Sequence, residues 1–152
     1  MVDADTARFT VGVFQDAAWA GKGLAALKDA RFTVDMLSIL AKETPDAAAL
    51  IEKTFGAKGD RLDISGVGGV VARGPLVQTL QGSARDLGKI GIAGTMRRVG
   101  FQPHDGRIFE TLVGRGGILI AIQTEPRAAD ALAILFSYGG GNAAIGAWTG
   151  RV

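Results

Sequence analysis

Cysteine is absent from the 152 residues, which excludes a disulfide framework, a thiolate metal site and a cysteine nucleophile. Histidine occurs once, at His104, and one imidazole among scattered carboxylates makes a poor set of transition-metal ligands. Proline is scarce, at 4, and the 23 glycines follow no three-residue period, so neither a collagen-like nor a disordered chain fits. No uncharged apolar run approaches the ~18 residues of a membrane span. Charge of one sign is not in large excess either. With 17 basic residues against 15 acidic ones the formal charge is +2, too small a footprint for a nucleic-acid partner. The expectation is therefore no metal, no cofactor, no nucleic acid and no membrane span. The acidic, polar opening at 1–8 carries no secretory signal, which leaves a cytoplasmic location as the default.

Apolar side chains are plentiful. They make up 47% of the chain, and the mean hydropathy of +0.23 is high for a soluble domain of this length. One domain spanning 1–152 suffices to bury most of them. The surplus points to a subunit contact, hence to a homo-oligomer.

The punctuation of the chain predicts its elements. Phe9-Thr-Val-Gly-Val-Phe14 reads as a buried strand. Asp16 then caps a helix over 16–30, with Trp19, Ala20, Gly23, Leu24 and Leu27 on one inward stripe. Residues 32–41 return to strand character, with the alternation broken near Met36 and Leu37, as by a bulge or two-sided burial. Thr44 and Pro45 open a helix that Gly56 ends. Lys58-Gly-Asp60 is turn chemistry, and Leu62 and Ile64 alternate with Asp63 and Ser65. The glycine-rich centre, Ile64 to Leu76, holds an inner strand at 67–72 that joins the two halves. Beyond it, 76–99 is helical in spacing but interrupted by glycine, which predicts two short helices. Pro103 opens a helix over 103–114 with Ile108, Phe109, Leu112 and Val113 inward and Arg107, Glu110 and Arg115 outward. Ile118 to Ile122 is the strongest strand, and 128–136 the last helix. The apolar tail 143–148 reads either as an added edge strand or as an arm reaching a neighbouring subunit.

Few motifs carry chemistry. Gly66-Val-Gly68-Gly69 invites a dinucleotide reading, but Val71 stands where the third glycine belongs and no acidic ribose partner follows. His104 beside Asp105 is a weak candidate for a general base, against a capping or surface histidine, because no nucleophile has a suitable context. Arg97 and Arg98 with Arg73, Arg85 and Lys89 form a basic set tempered by Asp86 and Asp105. They read as a solvated face or a salt-bridged subunit contact. Gly88, Gly91 and Gly94 let helices approach closely, so that segment is either a cover for the sheet or a self-association surface.

Five stretches carry a family resemblance: Val11 to Phe14, Ala25 to Phe32, Met36 to Ala41, Gly66 to Leu76 and Leu112 to Ala121. In these the chain resembles the bacterial general stress protein family, whose members are described as heat-induced or low-temperature-induced. The likeness covers most of 8–136. It implies a ferredoxin-like α+β sandwich of βαββαβ order with a glycine-rich helical insertion at about 76–100, no established catalytic residues, and a role tied to stress or assembly. Arg85, Asp86, Lys89, Arg97 and Arg98 break up what is often a longer Gly/Ala-rich hairpin, which speaks against membrane insertion of that segment.

Two functions follow as expectations. The first is a non-enzymatic, self-associating protein working through Gly88, Gly91 and Gly94 of the insert and Tyr138, Ile145 and Trp148 of the tail at 137–152. The alternative is a ligand-binding or enzymatic domain with a pocket between sheet and insert near Trp19, Phe109 and His104. A right-handed first crossover would place both main helices, 16–30 and 103–114, on one face of the sheet. The insert or another subunit would then cover the other.

Overall fold

The structure, a computed structural model, describes residues 9–123, 128–135 and 149–151. Strands are β1 (Phe9–Phe14), β2 (Leu37–Lys42), β3 (Asp60–Ile64), β4 (Gly68–Arg73), β5 (Ile118–Gln123) and β6 (Thr149–Arg151). Helices are α1 (Ala17–Asp29), α2 (Pro45–Phe55), α3 (Pro75–Gln81), α4 (Leu87–Ile90), α5 (Ile92–Arg98), α6 (Pro103–Gly114) and α7 (Ala128–Leu135). The result is an α+β fold around a five-stranded antiparallel sheet, in the order β3-β4-β2-β5-β1, with the short β6 added beside β1. The segment 143–148, expected as an edge strand or an arm, lies outside the described residues. Tyr138, Ile145 and Trp148 lie outside the described residues.

Every neighbouring pair is antiparallel, so β1 and β2 run parallel with β5 between them, β2 and β3 with β4 between, and β4 and β5 with β2 between. The first two connections carry α1 and α2, whose Leu24, Leu27, Leu50 and Ile51 join Leu37, Ile39 and Ile120 in one core. The third connection carries α3 to α6, whose Leu80, Ile92, Met96 and Phe109 join Val11, Leu40 and Leu119 in a second core. The helices 16–30 and 103–114 expected on one face therefore sit on opposite faces. Since β4 and β5 run against the other strands and advance the other way across the sheet, this third connection has the opposite hand to the first two. One of the two hands therefore departs from the right-handed rule for parallel crossovers. Here the connection spans residues 74–117 and several helices. The insert covers the second face, and among the described residues only Trp19, at 38%, and Ile90, at 48%, are large exposed hydrophobics.

The element starts follow their capping chemistry. Asp16 accepts a hydrogen bond from the Trp19 amide at 2.9 Å, and Thr44 accepts from Ala47 at 3.1 Å. Gly56 closes α2 in the left-handed region, at φ 71°. Three expectations need correction. Residues 60–64 form a strand that charge obscured, since Asp60, Arg61 and Asp63 are exposed on the sheet's edge. Such charge protects an edge strand from further pairing. The strand expected over 32–41 begins only at Leu37, after a 3-10 turn over Val34–Met36, and it is buried on both faces, one of the two accounts expected for the break. The insert holds three short helices before Pro103 instead of two. The glycine-rich strand β4 is inner, as expected, but β2 and β5 occupy the centre.

A corner between β4 and α3 holds the insert on the sheet. Gly74 has φ 122°, and a Cβ there would lie 2.4 Å from the Leu37 carbonyl oxygen. Without a side chain, Gly74 cannot cap α3. Ser38 of β2 does so from across the sheet, its Oγ accepting from the Leu76 amide at 2.8 Å.

A candidate ligand groove between two parallel helices

Residues singled out for self-association serve contacts inside the chain. The Gly88 carbonyl accepts from the Ser65 amide at 2.8 Å, and a Cβ on Gly88 would meet the Asp63 carbonyl at 2.5 Å. Gly91 is buried, with φ 94°, against the Ser65 carbonyl and the Glu110 carboxylate, and Gly94 faces the Ile90 side chain. These glycines let α4 and α5 lie directly on the end of β3. Glu110, expected outward, turns in instead: its Oε1 accepts from the Ala93 amide at the start of α5, at 3.1 Å. Glutamate on α6 thus ties down the start of α5, a role its polar letter could not announce.

Gly66 and Gly68 belong to a hairpin between β3 and β4, and a hairpin has no helix N-terminus to face a phosphate. Strand does not lead to helix here, so the dinucleotide reading has no structural context.

The basic set disperses. Arg98 pairs with Asp86, with its NH1 3.1 Å from Oδ2 and its NH2 2.9 Å from Oδ1. That same NH2 donates to the Leu80 carbonyl at the end of α3, at 2.7 Å, so the Oδ1 contact is ionic without being an aligned hydrogen bond. Hydrogen bonding from Arg98 holds the Asp86 carboxyl below the usual aspartate value, against a smaller opposing push from desolvation, and Asp86 in turn raises Arg98. Arg73 donates to the Lys58 carbonyl at 3.1 Å and lies over the Phe55 ring. These arginines fasten connections of the fold.

The pocket expected near Trp19, Phe109 and His104 does not assemble. Phe109 is fully buried under the insert, edge-to-face with Phe101, while Trp19 is on α1 across the sheet. Trp19 also leaves the core stripe: the buried arc of α1 runs through Ala20, Gly23, Leu24 and Leu27, and Trp19 falls just outside its rim. His104 is exposed on the outer side of α6, in a shallow depression of about 370 Å³ shared with Arg107 and Arg115. Asp105, half-buried, is the next residue along the helix, and adjacent helical positions point about 100° apart.

A different concavity is better formed. Gly21 lies against Leu50 and the Lys28 ammonium donates to the Thr54 carbonyl at 3.2 Å, so α1 and α2 run side by side in the same direction. Between them lies a groove of about 580 Å³. Its apolar lining is Ala17, Ala18, Gly21, Leu24 and Ala25 of α1 with Leu50 of α2, and the alanines and Gly21 leave a trough where larger residues would fill it. Around the rim stand Lys22, Lys28 and Lys53, with no carboxylate among the described lining residues. Lys22 lies over the Trp19 ring, 4.6 Å from its centroid. Lys28 and Lys53 stand in the last turns of the two helices, which brings two ammonium groups to one end of the trough. An apolar floor with three exposed ammonium groups at its rim offers a place for an anion. No single stretch of sequence signalled this site, because its walls come from residues 17–28 and 50–54.

Comparison with known proteins adds no relative: no protein-family model, no curated protein and no solved structure matches this chain.

Proposed function

We propose that this chain is a binding domain rather than an enzyme, and that its working site is the groove between α1 and α2, which takes a ligand bearing a carboxylate or phosphate group. The supporting observation is the rim of Lys22, Lys28 and Lys53 without a lining carboxylate above an apolar floor. The test is calorimetric titration with acetate and inorganic phosphate at low and moderate salt. Binding that weakens with salt and is lost in the Lys28→Ala/Lys53→Ala double variant is expected. Equal affinity in the wild type and the double variant would overturn the reading.

Self-association is the second reading, favoured by Ile90, which stands 48% exposed at the corner between α4 and α5. Light scattering would give a multiple of the chain mass, reduced by Ile90→Lys. A monomer at high concentration would remove it. Two further assignments belong to the same proposal. One is membership of the general-stress-type group, on the residue resemblance alone. The other is the ferredoxin-like reading of the core at 8–136, likewise on the residue resemblance. Among the described residues no helix is long and apolar enough to cross a membrane.

A further inference from the structure

We infer that the groove between α1 and α2 accepts an aliphatic carboxylate, with its head between Lys28 and Lys53 and its chain along the trough towards Ala17. This rests on the anion-binding reading of the same groove and specifies its ligand. The polarity of the groove is uneven along its length. Lys28 and Lys53 share the end where both helices finish, and the Lys28 ammonium is tethered beside α2 by the Thr54 carbonyl. From that end back to Ala17 the trough presents Ala25, Gly21 and Ala18 of α1 with Leu24 and Leu50 beneath. From Ala17 to Lys28 this strip runs about 16 Å at 1.5 Å per residue. Only Lys22 interrupts it, and Lys22 is drawn aside over the Trp19 ring.

A small inorganic anion would use the lysine end and leave the apolar strip wet. A neutral hydrocarbon would fill the strip and leave two ammonium groups without a partner. A molecule with one anionic head and an unbranched apolar body satisfies both parts. Each methylene removed from water adds about 0.8 kcal/mol, so chain length is a sensitive probe of the strip.

The experiment is calorimetric titration of the full chain. Ligands are decanoate, hexanoate, acetate, inorganic phosphate, decanol and decylammonium, all below micelle formation. Decanoate is expected to bind most tightly, hexanoate more weakly, decanol about tenfold or more weaker than decanoate, and decylammonium not at all. Lys28→Ala/Lys53→Ala should weaken decanoate by about tenfold or more and leave decanol unchanged, with an unaltered melting curve confirming the fold. Gly21→Leu, which fills the trough, should abolish chain-length dependence while acetate still binds. Acetate or phosphate binding as tightly as decanoate would overturn the aliphatic ligand and leave the anion site standing. Decanol matching decanoate, or no response to any anion, would overturn both.

Discussion

Ser38→Ala removes one oxygen from the interior and isolates how the insert is held on the sheet. Ser38 and Leu76 are each 1% exposed, and the Ser38 Oγ is 2.8 Å from the Leu76 amide, so no solvent stands ready to replace it. Pro75 has no amide hydrogen and Gly74 no side chain, so the opening turn of α3 relies on this cross-sheet acceptor. Leaving a buried N–H without an acceptor costs about 1–3 kcal/mol, more than the net worth of an ordinary hydrogen bond. For a chain of this length that corresponds to a fall in Tm of about 2–4 °C per kcal/mol. Urea unfolding would give the free energy, and native-state hydrogen exchange would report the Leu76 amide directly. Faster exchange at Leu76 with a lower unfolding midpoint is expected. An unchanged midpoint together with unchanged protection at Leu76 would refute the capping role.

Three further perturbations test other joints of the fold. Gly74→Ala forces a Cβ to within 2.4 Å of the Leu37 carbonyl at a φ of 122°, and thermal melts should show a loss of about 3 kcal/mol or more. Glu110→Ala removes the acceptor of the Ala93 amide and should cost about 1 kcal/mol in urea titration, whereas Glu110→Gln, which keeps an acceptor, should cost less. Asp86 has its carboxyl pKa lowered by Arg98, so its contribution is whole above the ordinary value of 3.8 and is lost as pH falls through the lower folded value. Unfolding midpoints of wild type and Asp86→Asn should therefore differ at neutral pH and converge on acidification. A gap that persists in acid would contradict the ion pair.

Local punctuation in the chain was legible because it acts within a few residues. Asp16, Thr44 with Pro45, and Gly56 each do in the fold what their chemistry implies. Strand β3 was obscured because only Leu62 and Ile64 are apolar among its five residues, and an edge strand has one side to bury at most. Gly88 and Gly91 announced close approach without saying to what; the partner is the backbone of Asp63 to Ser65, more than twenty residues back. Layer assignment was not legible either. It depends on which face of the sheet the long connection 74–117 crosses, and both faces of β1, β2 and β5 are apolar. For the same reason the groove stayed hidden: Lys28 and Thr54 meet only once β1 and β2 have set α1 and α2 side by side.

The most direct measurement is a map of amide chemical-shift changes in the isotopically labelled full chain as decanoate is added. Changes confined to residues 17–28 and 50–54, with Lys28 and Lys53 the most affected, are the expected result. Changes centred on α4 to α6 around Ile90 or His104, or none anywhere, would contradict the assignment of the groove between α1 and α2 as the working site.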